Sequence, residues 1–134
     1  MQLMHGLRMC GVALLLAVAA GCKSYTQKGA EGLPNSATAG IEAIEKTFTI
    51  ASVDGEDTLY VLYTQRTAYR LTAGPHRLEV KKWMGTRASR PMFRDVNLVA
   101  GREYGMKYVP SEDWWDFKIV DMQTGERVDT PAAP

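Results

Sequence analysis

Cysteine and histidine are almost missing from this chain, with two of each in 134 residues. The cysteines are Cys10 and Cys22, so any part of the chain that starts after Cys10 has no partner for an internal disulfide. Zinc sites need several His or Cys ligands, and a nucleophilic triad needs a histidine beside a Ser or Cys. Past the first 21 residues only His76 remains. It follows a Gly-Pro pair, no G-x-S-x-G accompanies it, and it reads as a turn residue or hairpin-facing side chain. No G-K-[ST] phosphate loop is present. The acidic run Asp54-Gly55-Glu56-Asp57 lacks EF-hand spacing and reads as a solvated turn. Excess charge of one sign is lacking too. The formal net charge is +1, and Arg8 is the one charged side chain before Cys22. The remainder is neutral and has no general pull toward nucleic acid. Long apolar runs are absent: none approaches the roughly 20 residues that span a bilayer as a helix.

What the chain does have begins at its start. Arg8 supplies a positive region, Gly11 to Ala20 an apolar stretch, and Ala19, Ala20 and Gly21 small residues. That is the three-part layout of a secretory signal, here residues 1–21, which is expected to be removed. The end of this run, Ala19-Ala20-Gly21-Cys22, resembles the lipobox of bacterial lipoproteins. The resemblance implies that cleavage falls between Gly21 and Cys22, and that Cys22 carries a thioether-linked diacylglycerol and an N-acyl chain. Small side chains admit the peptidase, and a thiol is the nucleophile that takes the lipid. A plain signal cut after Ala19 is the alternative, but it leaves the position of Cys22 unexplained. One acyl chain holds only marginally, whereas two or three anchor firmly. The resemblance further implies, from Lys23 rather than Asp after the cysteine, a lipid-anchored protein of the outer membrane facing the periplasm. It implies no other cofactor.

Residues 23–40 are poor in large apolar side chains and rich in Gly, Ser, Thr and Ala. Such a stretch is expected to be flexible, and 41–45 reads as one helical turn or the lead into the first strand. The expected layout is acylated Cys22 and a flexible tether over 22–45, the folded domain over 46–130 and a disordered tail over 131–134. From residue 46 the pattern is one of short alternating runs. Phe48 and Ile50 share a face before Asp54-Gly55, a strong turn pair. The run Thr58 to Tyr63 is rich in β-formers. Leu78 and Val80 alternate with Arg77, Glu79 and Lys81. Val96 and Leu98 share a face, as do Tyr104, Met106 and Tyr108, and then Trp115, Phe117 and Ile119. Turns are expected at Ala73-Gly74-Pro75, Ala100-Gly101 and Thr124-Gly125, and Val128 ends a last short strand. Roughly seven or eight short strands without an amphipathic helix predict an all-β fold, a small antiparallel β-sandwich of immunoglobulin or transthyretin type. A small β-barrel is the alternative.

The stretches Tyr69 to Val80 and Val96 to Tyr104, both strand, Ala-Gly turn, strand, are similar to hairpins of bacterial PEGA-type β-sandwich domains and of small Gram-negative lipoproteins. That resemblance covers about residues 50 to 128. It implies a surface β-sandwich and brings no catalytic residue with it.

Two surface features remain. Glu112-Asp113-Trp114-Trp115-Asp116 sets paired acids beside aromatics, the residue types that flank a sugar in glycoside chemistry. Alternation sends Trp114 and Trp115 to opposite faces, so an exposed Trp114 with Trp83 could stack on a glycan. Residues 66 to 94 hold Arg66, Arg70, Arg77, Lys81, Lys82, Arg87, Arg90 and Arg94 against Glu79. These either form a basic face or pair with the acid-rich 112 to 129 stretch. The candidate ligand contacts are therefore Trp83, Trp114, Arg87 and Arg90, with no catalytic or metal-binding residue. The expected function is a non-enzymatic binding or scaffolding module whose partners are the membrane, through the anchor, and another envelope protein or anionic component. Glycan or peptidoglycan binding, or hydrolysis through the 112–116 cluster, is the alternative.

Overall fold

The computed structural model describes residues 24–45, 47–58, 66–111 and 115–134. Cys22, Gly21, Trp114 and nearly all of the 58–63 run lie outside them. The described strands are β1 (Ser24–Thr26), β2 (Thr38–Ala43), β3 (Phe48–Val53), β4 (Glu56–Asp57), β5 (Ala68–Thr72), β6 (Gly74–Met84), β7 (Arg87–Ala88), β8 (Met92–Leu98), β9 (Glu103–Val109), β10 (Asp116–Asp121) and β11 (Asp129–Ala132). Two 3-10 turns, Lys28–Ala30 and Asn35–Ala37, link β1 to β2.

One sheet runs β1-β5-β2-β9-β10 and the other β11-β8-β6-β3-β4, with β7 hairpinned onto β6. The two sheets are not closed into a barrel, and the fold is an all-β sandwich. Most pairings are antiparallel, but β1 lies parallel to β5 and β2 parallel to β9. Strand alternation builds the core as expected. Ile41, Phe48, Ile50, Leu71, Leu78, Val80, Leu98, Tyr104, Met106, Phe117 and Ile119 are all buried between the sheets. Phe48 sits with its ring centroid 5.5 Å from those of Trp115 and Phe117, a separation at which tilted aromatic rings attract. A bulge between Ile50 and Ser52 adds one residue to β3. The extra residue reverses the alternation, which is why Val53 is buried after Ile50.

Three expectations need correction. Residues 24–45 are not a tether: β2 is the central strand of the first sheet, hydrogen-bonded to β5 and β9, with Ala39, Ile41 and Ala43 buried. Small side chains suit this place. The Arg70–Glu103 ion pair, 2.9 Å long, lies flat across Gly40, where a Cβ would sit 1.9 Å from the Glu103 carboxylate. The tail is likewise shorter than expected, because β11 pairs with β8 as far as Ala132↔Phe93. Finally, the two Ala-Gly turns are not hairpins. Ala73-Gly74 carries the chain from the first sheet to the second, and Ala100-Gly101 carries it back. Gly74 (φ 113°) and Gly101 (φ 82°) take the positive φ that lets the chain turn this sharply.

Pairing directions sort the loops onto two ends. The starts of β1, β5, β8 and β10 and the ends of β2, β6, β9 and β11 share one end, called here the Ser24 end. The Asp54-Gly55, 99–102 and 122–128 turns occupy the opposite end.

Candidate functional site

The residues with most chemistry in the sequence are engaged by the fold. Asp54 (φ 53°) and Gly55 (φ 82°) both lie in the left-handed region, the signature of a type I′ hairpin turn. From there one Asp54 oxygen accepts the Arg77 N–H at 2.8 Å, and the other lies 2.6 Å from Nδ1 of buried His76. His76 Nε2 is 2.7 Å from the Thr72 carbonyl oxygen. His76 thus ties the β3–β4 turn to the corner between β5 and β6, as a turn residue. Asp54→Ala is expected to cost about 2–4 kcal/mol, from left-handed strain and a buried group left unsatisfied. Asp54→Asn, a favoured residue in this turn, is expected to cost about 1 kcal/mol through the weaker hydrogen bonds. Urea denaturation of the two variants checks the ranking.

The basic stretch is mostly paired. Arg70 meets Glu103, Arg77 meets Asp95 at 3.0 Å, and Lys81 lies 3.9 Å from Glu79. Arg66 donates to the Ser24 carbonyl and stands over the Tyr25 ring. The Tyr25 hydroxyl is pushed above its ordinary pKa, first by burial and then by Glu56, with Arg66 opposing. Arg94 is buried rather than on a basic face, because it shares the inward side of β8 with Val96 and Leu98. Its Nε bonds Asp129 at 3.0 Å, its Nη2 bonds Asp116 at 2.7 Å, and its guanidinium lies 4.4 Å from the Phe117 ring centre. Asp129 also accepts the Ile119 N–H and is chelated by Arg127. This cluster clasps β8 and β11 of one sheet to β10 of the other. The pairing of basic and acidic stretches is therefore realised at Arg94.

Two residues of the 112–116 cluster are described, and both are engaged by the fold. Asp116 serves Arg94 and its own neighbour's N–H, and Trp115 is core. Glu112, Asp113 and Trp114 lie outside the described residues.

What remains outward is the hairpin at the Ser24 end. Trp83 pairs with Ala88 and Met84 with Arg87 around a two-residue turn, Gly85-Thr86, in which Gly85 has φ 68°. Ser89 stitches it down. Its Oγ accepts the Lys82 N–H at 2.9 Å, and its N–H donates to the Lys82 carbonyl at 2.7 Å. Lys82 turns inward and places Nζ 4.9 Å from the Tyr108 ring centre and 5.9 Å from that of Trp115, within cation–π range. Trp83 is half-buried, whereas Met84, Arg87 and Arg90 are exposed. Among the described residues neither Arg87 nor Arg90 has an ion pair. Two of the four expected contact residues, Trp83 and Arg87, thus share one hairpin, on opposite faces by strand alternation, and Arg90 follows two residues after it. The sequence reading missed a second feature, an open recess of about 390 Å³ on the outer face of the second sheet, lined by Ser52, Asp57, Arg77, Glu79, Lys81 and Phe93. Its cations and anions alternate across strands, so it carries no excess of either sign.

The chain matches no family model, no curated protein and no solved structure. Its chemistry has to be read from these residues.

Proposed function

We propose that this protein is a lipid-anchored module of the bacterial envelope, held by acyl chains on Cys22, that binds or scaffolds another envelope component without catalysing a reaction. The outer membrane, on its periplasmic side, is the proposed location, and kinship with PEGA-type domains is part of the proposal. The observation that carries it is the order of features along the chain. A signal-like apolar run and three small residues lead to Cys22, and Ser24 already pairs in β1. A reactive thiol next to a folded body is accounted for if a lipid consumes it. Support for a binding role is that His76, Arg94, Asp116 and Asp129 are spent on holding the fold, while Arg87 on the β6–β7 hairpin and Arg90 just after it have no ion pair among the described residues.

The test is expression of the full chain in a Gram-negative host, followed by membrane fractionation and intact mass. A mass for residues 22–134 plus acyl groups, found with membranes, is expected. Cys22→Ser is expected to abolish both processing at that place and acylation. A Cys22→Ser chain that is still cut before residue 22 and still sediments with membranes would sink the proposal.

A second reading, glycan binding, is favoured by half-buried Trp83 on an exposed hairpin. Peptidoglycan pull-down separates the two. Capture that is lost in Trp83→Ala and Trp114→Ala supports glycan binding, and absence of capture supports a protein scaffold.

A further inference from the structure

We propose that the Ser24 end of the sandwich lies against an anionic phospholipid surface, with the β6–β7 hairpin as its contact. This deepens the anchor reading and rests on it. Only Lys23 separates Cys22 from the first strand. Two residue steps reach about 7 Å when fully extended, comparable to one headgroup layer of roughly 5–7 Å. An acylated Cys22 therefore holds the Ser24 end within reach of the bilayer, and the charge of the loops that share that end decides whether they lie against it.

β6 runs toward that same end, since it is antiparallel to β3, with Phe48 facing Lys82. Its last residues continue past this pairing into the turn of the hairpin, held by Ser89. The hairpin and the residues just after it offer what an interface rewards: the Arg87 and Arg90 guanidinium groups for lipid phosphates, and Met84, 49% exposed, for the acyl boundary. Arg66 stands at the same end, beside Ser24. The described acids there are Glu42, Glu45 and Asp116, and Arg94 neutralises the last. The opposite end differs. Its Arg102 and Arg127 both face carboxylates, Asp121 at 3.8 Å and Asp129 at 3.0 Å, so it has no comparable pair of bare arginines among the described residues.

The test uses the full chain carrying Thr86→Cys at the hairpin turn, expressed in a Gram-negative host and purified with its anchor. Cys10 leaves with the signal and Cys22 is capped by lipid, so an environment-sensitive fluorophore attaches at position 86 alone. The protein is reconstituted into vesicles of phosphatidylcholine and of phosphatidylcholine mixed with phosphatidylglycerol. In the mixed vesicles the expected result is a blue-shifted probe shielded from acrylamide, reversed by raised salt. Arg87→Glu with Arg90→Glu is expected to abolish the shift. Each arginine changes the balance between apposed and free orientations about fivefold, and both are exposed, so folding is unaffected. Equal probe signals in the two vesicle types, with an acylated mass, overturn this inference and leave the anchor standing. Labelling at Cys22 and an unacylated mass overturn both. A probe that responds to a polyglutamate peptide but not to anionic vesicles assigns the hairpin to an acidic protein and also overturns it.

Discussion

A chain shortened to begin at residue 46 is expected not to fold. The cut removes β1 and β2, and β2 is the strand that joins β5 to β9. Without it both neighbours lose a full ladder of backbone hydrogen bonds. The core sides of Leu71, Tyr104 and Met106 also lose Ala39, Ile41 and Ala43 as a cover. Unpaired backbone in a sheet interior costs about as much per group as a lost hydrogen bond, and several are lost at once. Total stability for a domain of this size is only about 5–15 kcal/mol, so no cooperative transition survives. The measurement is far-UV circular dichroism with urea titration on chains 46–134 and 24–134. The longer chain is expected to unfold in one sharp step, and the shorter to show none. If residues 24–45 were a spacer, the two midpoints would coincide.

The second large effect is expected at Arg94. Its guanidinium is buried with Asp129, whose side chain is 0% exposed. Pairs of this kind gain little over apolar residues, but removing one partner strands a charge and costs about 3–5 kcal/mol. Arg94→Ala should fall in the lower part of that range, because Arg127 still chelates Asp129. Arg94→Met with Asp129→Asn should be more stable than Arg94→Ala, since Asn can still accept the Ile119 N–H and the charges left behind, Asp116 and Arg127, are partly exposed and reach water. A double-mutant cycle by urea denaturation measures the coupling. A loss under about 1 kcal/mol for Arg94→Ala, the range of an exposed pair, would show the clasp to be ornamental.

The parts of the fold that were legible are those where large apolar residues alternate with polar ones: β3, the middle of β6, the second half of β8, β9 and β10. Burial there is decided by side chains, and side chains are what a sequence displays. β2 was not legible for the opposite reason. Thr38-Ala39-Gly40-Ile41-Glu42-Ala43 alternates inward and outward as a strand should, but its inward residues are mostly alanine and its middle is glycine. Its stability comes from two flanking ladders and from an ion pair laid over Gly40, neither of which leaves a local trace. The corners at Ala73-Gly74 and Ala100-Gly101 looked like hairpins because the same glycine geometry serves both, and sheet membership is a long-range property. On the candidate surface, Arg87 and Arg90 stood out by charge, whereas Arg94 took the other course open to the basic stretch, pairing with the acidic one. One cue was available: it shares the parity of Val96 and Leu98, and so points inward.

The parallel pairing of β2 with β9 also governs the order in which the molecule can assemble. Gly40 finds Glu103 as its ladder partner, so the first sheet stays incomplete until nearly the whole polypeptide has emerged. Topologies dominated by such distant contacts fold slowly, on the millisecond-to-second scale. If the chain is exported unfolded, as the proposed anchor on Cys22 requires, this delay is useful. β2 can pair with β5 early, but the first sheet is not completed until β9 and β10 arrive, so the finished sandwich forms only after the late segments have passed.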